Sequence, residues 1–155
     1  MPSHANPIPN GFHSLTPYLC VSDAARAIEF YDKAFGATLI MRLAEPGGRV
    51  GHAELQVGDS VIMLADEHPE YGVRSPRAFG GSPVSLHLYV EDVDAVVARA
   101  VAAGAKVVHP VADKFYGDRS GRVEDPFGHL WDIGTHKEDV SPAEVERRYA
   151  AMTKS

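Results

Sequence analysis

The stretch CVSDAARAIEFYDKAFGA, Cys20 to Ala37, has a counterpart in YVEDVDAVVARAVAAGA, Tyr89 to Ala105. Each reads as the end of a strand, an acidic cap, an amphipathic helix, a glycine stop and the start of a further strand. The two lie about 70 residues apart, too far for one turn of a solenoid, so the chain carries two copies of a supersecondary unit. In each unit one helix covers one face of a short sheet and leaves the other face bare. Two such sheets satisfy their bare faces by enclosing a cleft.

The flanking pattern extends each unit to βαβββ. His13 to Val21 reads as a first strand. Asp23 caps a helix from Ala24 to about Phe35, with Ile28, Tyr31 and Phe35 as its apolar stripe, and Gly36 ends it. Thr38 to Ala44, Arg49 to Val57 and Ser60 to Ala65 follow as strands, separated by Pro46-Gly47-Gly48 and Gly58-Asp59. In the second copy Val84 to Val90 is a strand. Asp92 or Asp94 starts a helix through Ala103, and Gly104 stops it. Lys106 to Val111, Gly121 to Glu124 and His129 to Thr135 are strands, the last two joined by Asp125-Pro126-Phe127-Gly128. The predicted organisation is a flexible tail over 1–11, a first module over 12–66, a linker or lid over 67–82, a second module over 83–139 and a C-terminal helix over 140–155. That helix opens on the capping-box pattern Ser141-Pro142-Ala143-Glu144, and Val145, Tyr149 and Met152 are spaced to pack on the domain or on a second subunit. The fold class is α+β, two modules of mixed sheet forming an open barrel around a cavity.

A net charge of −6 without a lysine or arginine cluster argues against nucleic acid and anionic membranes as partners. No apolar run approaches the roughly 20 residues of a membrane span, and the first dozen residues lack the apolar stretch of a signal peptide. A single cysteine, Cys20, permits no internal disulfide, which fits a reducing cytoplasm. Glycine-rich phosphate loops, nucleophile elbows and zinc-finger spacings are absent.

Strand parity identifies candidate site residues. His52, Glu54 and Gln56 alternate with Ala53, Leu55 and Val57, so the polar set faces away from the helix and into the predicted cavity. Ionisable groups there cost free energy unless partnered, which points to a wet cavity or a polar ligand. Glu54 beside His52 fits an acid–base pair, and a structural hydrogen bond explains the same pair equally well. Tyr116, Asp118 and Arg119 sit in a loop before the penultimate strand. They offer either a ligand-binding rim or a loop held by its own Asp–Arg contact. Trp131 and Ile133 have the parity of the core. Tyr71, Arg74, Arg77 and Phe79 belong to a mobile loop that is a candidate lid.

The two βαβββ modules, together with the blocks VSDAARAIEFYDKAFGA, VEDVDAVVARAVAAGA and EDPFGHLWDI, resemble the vicinal oxygen chelate superfamily. This is the glyoxalase, bleomycin resistance and dioxygenase fold. The blocks GHAELQVGDSVIMLADE and FYGDRSGRVEDPFGHLWDIGTH look most like its PhnB-like branch. The resemblance covers about His13 to Asp139. It implies a small-molecule ligand, a homodimer, and one divalent metal held by side chains on the first and last strands of each module. The matching positions here are Thr16, Met63, Ser85 and Asp132, of which Asp132 alone is a good ligand. No cofactor is therefore expected. The alternative is a displaced divalent metal at His87 and Asp132, with His52 and Glu54 as further candidate ligands. Two functions follow: a metal-free binder that sequesters an aromatic, antibiotic-like or polar compound, or a glyoxalase-like lyase or isomerase with Glu54 or His52 as base.

Overall fold

The computed structural model describes residues 4–154. The chain divides between Ser82 and Pro83 into two compact units. Of the tail expected over 1–11, the first three residues lie outside the described residues, as does Ser155. His4 to Gly11 contain no helix or strand and are exposed.

The first unit holds β1 (Tyr18–Val21), α1 (Ala24–Phe35), β2 (Thr38–Ala44), β3 (Val50–Val57) and β4 (Ser60–Asp66), in the sheet order β1-β4-β3-β2. β1 runs parallel to β4, and the other pairs are antiparallel. The Asp23 carboxylate accepts from Arg26 N at 3.1 Å at the start of α1. At its end Gly36 has φ 69°, a conformation that suits glycine, and donates to Asp32 O. The buried stripe is Ala24, Ala27, Phe30, Tyr31 and Ala34. It is rotated from the expected one because the small alanines allow the helix to approach Val21, Ala53, Leu55 and Leu64 closely, and Ile28 and Phe35 are left half-buried. β1 begins at Tyr18 rather than His13. Pro17 has no N–H to extend the ladder, although its carbonyl still accepts from Met63 N at 2.9 Å. The expected linker contains two single-turn tight helices, Pro69–Tyr71 and Pro76–Phe79, and a bridge between His68 and Val73.

The second unit repeats the plan with β5 (Ser85–Tyr89), α2 (Val93–Ala102), β6 (Lys106–Asp113), β7 (Asp118–Glu124) and β8 (Leu130–His136), in the order β5-β8-β7-β6. Asp92, not Asp94, caps α2. Val93, Val96, Val97 and Ala100 pack against Val123, Trp131 and Ile133, all buried. Each helix start is tied to the end of the central parallel strand by an equivalent residue. In the first unit Asp66 accepts from Ala24 N at 2.8 Å and from Val50 N at 2.7 Å. In the second, Thr135 Oγ1 accepts from Val93 N and donates to Val90 O, each at 2.9 Å.

β7 corrects an expectation. Asp118 to Ser120 were expected in a loop, but they are strand, paired with His136, Thr135 and Gly134. The turn lies earlier, where Lys114 N donates to Asp118 O and Gly117 adopts φ 103°.

α3 (Pro142–Thr153) is capped by Ser141, whose hydroxyl accepts from Glu144 N. It buries no residue; Tyr149 and Met152 are exposed and Val145 is half-buried. The helix is held by polar contacts instead. Arg148 donates to Phe115 O at 2.9 Å and pairs with Glu138 and Glu144, and the Tyr149 ring lies 5.8 Å from that of Phe115. Among the described residues no helix is long and apolar enough to cross a membrane.

Candidate functional site

The period-two geometry of the strands separates each sheet into a helix-packed face and a bare face. In the first unit Ala53, Leu55 and Val57 are buried beneath α1, while His52, Glu54 and Gln56 turn the other way. The registers align Tyr18, Met63, Glu54 and Met41 in one row across all four strands. Met63, one of the expected ligand-binding positions, therefore sits between Tyr18 and Glu54. Thr16, another, precedes β1 and lies outside the ladder.

A chain of hydrogen bonds runs along this bare face. The Tyr18 hydroxyl lies 2.8 Å from His52 Nδ1, and His52 Nε2 lies 2.9 Å from Glu54 Oε2. A carboxylate only accepts, so Nε2 carries a proton toward Glu54. A neutral imidazole then accepts at Nδ1 from the Tyr18 O–H. Burial, then the neighbouring Cys20 and the Glu54 charge, raises the Tyr18 pKa, so the phenol keeps its proton. Burial, with help from Glu67 and Asp66, pushes the Cys20 thiol up to about 11, so it is not a poised nucleophile. Tyr18 was not among the residues singled out from sequence. Its separation of 34 residues from His52 gives no local signal.

In the second unit the corresponding row is His87, Asp132, Arg122 and His109. Arg122 grips Asp132 in a bidentate pair, Nε to Oδ1 at 2.7 Å and Nη2 to Oδ2 at 3.1 Å, and reaches Ser85 Oγ at 3.5 Å. Burial pushes the Asp132 carboxyl up, but the bonds from Arg122 and Ser85 outweigh it and hold the pKa below the usual range. Nothing in the sequence singles out Arg122 beyond its parity in β7. His87 stands beside Asp132, its ring centroid 4.7 Å from that of Tyr89, and Gly134 leaves it room: a Cβ there would lie 3.4 Å from His87 Nε2.

These donors do not fit the divalent metal that the resemblance implies. Thr16, Met63 and Ser85 are uncharged. Both oxygens of Asp132 accept from a guanidinium, whose charge weighs against the alternative of a metal on His87 and Asp132. Among the described residues no group of three or more His, Cys, Asp or Glu side chains converges to hold an ion.

Asp118 and Arg119 do not pair with each other, because neighbours on a strand point to opposite faces. Arg119, on the helix side, grips Asp94 of α2 at 2.8 and 3.0 Å and reaches Asp113. Asp118 is buried on the bare side, where it accepts from Tyr89 Oη at 2.7 Å and pairs with His136 Nδ1 at 2.7 Å. Burial pushes its carboxyl up, and those two bonds more than reverse the shift. His136 Nε2 meets Asp139 at 2.7 Å, so the imidazole lies between two carboxylates and its pKa is raised, chiefly by Asp118. Tyr89, Val90, Glu91, Thr135 and His136 line an open depression of about 550 Å3. Tyr116 lies in the preceding turn, edge-on to Phe115.

Comparison with known proteins places these features. Residues 11–133 match the model of the glyoxalase/bleomycin resistance protein/dioxygenase superfamily. An uncharacterized protein of Mycobacterium bovis is 45% identical over 143 residues, 90% of this chain and 92% of that protein. The crystal structure of TioX from Micromonospora sp. is 31% identical with a TM-score of 0.62, covering 80% of this chain and 98% of that one. That of a gene product from Arabidopsis thaliana is 31% identical with a TM-score of 0.64, covering 79% and 98%.

Proposed function

Because the chain belongs to the glyoxalase/bleomycin resistance protein/dioxygenase superfamily, we propose that it binds a small organic molecule on its bare sheet faces and does so without a divalent metal. The observation that carries this is the grip of Arg122 on Asp132. The one strong ligand among the four positions where the superfamily holds its metal is already neutralised and hydrogen-bonded. What remains on the faces is aromatic, thioether and hydrogen-bonding surface. That composition suits capture of an aromatic or mixed polar compound, and sequestration of an antibiotic-like molecule is the role it supports best. The PhnB-like blocks at Gly51–Glu67 and Phe115–His136 favour that branch. A homodimer and a cytoplasmic location complete the proposal.

A second reading is favoured by the Tyr18–His52–Glu54 chain, whose 2.8 and 2.9 Å contacts suit a proton relay. In that case the protein acts on its ligand as a lyase or isomerase, with His52 or Glu54 as base.

The test titrates EDTA-treated protein with the neutral fluorophore 1-aminoanthracene. Saturable binding of equal strength with and without EDTA is expected. Binding that appears only after zinc or nickel is added overturns the metal-free part, and no binding under either condition overturns the whole. Light scattering reports the dimer.

A further inference from the structure

The direction of the hydrogen bonds on the first unit's bare face specifies what kind of ligand that face accepts. With the His52 ring neutral, Tyr18 donates its only proton to His52 Nδ1, and His52 donates its only ring proton to Glu54. Within the Tyr18–His52–Glu54 relay no donor is left to point outward. What faces out are acceptors: the lone pairs of the Tyr18 oxygen and Oε1 of Glu54, which the His52 contact at Oε2 leaves over. No buried side-chain nitrogen or oxygen lacks a hydrogen-bond partner among the described residues, so Oε1 is in reach of solvent. The side chains of His52 and Glu54 are 21% and 13% exposed, so this negative charge sits in a partly desolvated place where Coulomb attraction is stronger than in water.

Among the described residues of this sheet, its neighbours on the same face carry no opposite charge. Met63 and Met41 flank Glu54 in its row, Leu43 stands beside His52, and Cys20 and Gln56 are the next residues on this face along β1 and β3. None is charged. The equivalent position in the second unit shows the contrast, since there Arg122 is answered by Asp132 in the next strand. The half-exposed Tyr18 ring, tilted 41° to the His52 ring, adds an aromatic wall of the kind that attracts cations.

We propose that the Tyr18–His52–Glu54 face is a recognition site for a small organic cation bearing N–H donors, such as a protonated aromatic amine or an amidinium. The cation donates to Glu54 Oε1 and to the Tyr18 oxygen, and its apolar body lies on Met63 and the Tyr18 ring. This rests on the reading of the protein as a small-molecule binder and names the chemical class of the ligand.

The test uses three probes of one shape: benzylammonium, benzyl alcohol and benzoate. Each is titrated into isotope-labelled protein at neutral pH, with the backbone amides of residues 18–20, 52–56 and 63 as readout. Benzylammonium is expected to bind saturably at those amides, about tenfold more tightly than benzyl alcohol, with benzoate weakest. E54Q is expected to abolish the tenfold preference while the remaining amide spectrum stays unchanged. Y18F is expected to weaken benzylammonium severalfold and to leave the ranking intact. Equal binding of the three probes overturns the proposal, as does preference for benzoate or an E54Q protein that keeps the cation preference. If 1-aminoanthracene still binds in any of those cases, the small-molecule reading survives and only the assignment of ligand charge falls.

Discussion

Replacing Asp125 by asparagine tests the polar hub beneath the second sheet. Asp125 is 3% exposed. Its Oδ1 accepts from Phe127 N at 2.9 Å and His129 N at 3.0 Å, and its Oδ2 accepts from the indole N–H of Trp131 at 3.0 Å. Asparagine keeps the shape and one acceptor. With its oxygen toward the two backbone donors, the turn survives, but the amide NH2 then faces the indole N–H, donor against donor. The lost charge-assisted bond is worth about 2 kcal/mol. For a chain of this size that is a fall in Tm of about 4–8 °C. Alanine withdraws the acceptor from all three donors and is expected to cost about 3–5 kcal/mol, less than the sum of three separate losses because the turn relaxes. Trp131 is the only tryptophan and is 2% exposed, so its fluorescence in a urea titration reports unfolding of this unit directly. An unchanged urea slope with a lower midpoint assigns the loss to stability. The reasoning fails if both variants match the unmodified protein within about 0.5 kcal/mol, or if asparagine is worse than alanine.

Three other outcomes are expected. The raised pKa of His136 means that its two carboxylate contacts contribute below its ordinary value and are lost as the pH climbs through the raised one. The lowered Asp118 loses its contribution only as the pH falls through its own depressed pKa. Protection of the amides of residues 137–153, corrected for their intrinsic exchange rates, should therefore be greatest between those limits and fall on the alkaline side, and flat protection from about pH 5 to about pH 9 would contradict this. A methyl group at Gly117 would lie 2.2 Å from Glu138 O at a φ of 103°. G117A should accordingly lower stability by about 2 kcal/mol or more and hasten proteolysis after residue 136, and a Tm equal to that of the unmodified protein would refute the clash. With its thiol at about 11, Cys20 should react with a disulfide reagent at neutral pH about tenfold more slowly than an unperturbed thiol, the smaller thiolate fraction being partly offset by its greater nucleophilicity, and a rate matching free cysteine would refute the shift.

Helix ends and face assignments were legible in the sequence because they depend on local chemistry. Asp23 and Gly36 bound α1 as their side-chain and backbone properties require, and the alternation over His52 to Val57 determines which side of β3 is polar. Register and long-range pairing were not legible. Parity puts Arg122 and Asp132 on the same side of the sheet, but only the β7–β8 register makes them direct neighbours. The same holds for Tyr18, whose partner is reached across β4. Asp118 and Arg119 misled for a local reason. Adjacent opposite charges suggest a pair in a loop, and in a strand they are forced apart. The start of β1 was overestimated because Leu15 shares the strand parity of Leu19 and Val21, while the ladder needs an N–H that Pro17 lacks.

The outermost strands carry a further consequence. β2 is exposed along its whole length, with Leu39, Ile40, Met41 and Leu43 uncovered, and β6 is nearly as open. A straight apolar edge of that kind invites another chain to zip onto it and start a growing ribbon. Here each edge is bent out of true: β2 breaks step between Leu39 and Met41 and again between Leu43 and Ala44, and β6 slips on either side of His109 and carries Pro110. An incoming strand meets only a few aligned rungs before the ladder fails, so stacking of like upon like is cut short along β2 and β6.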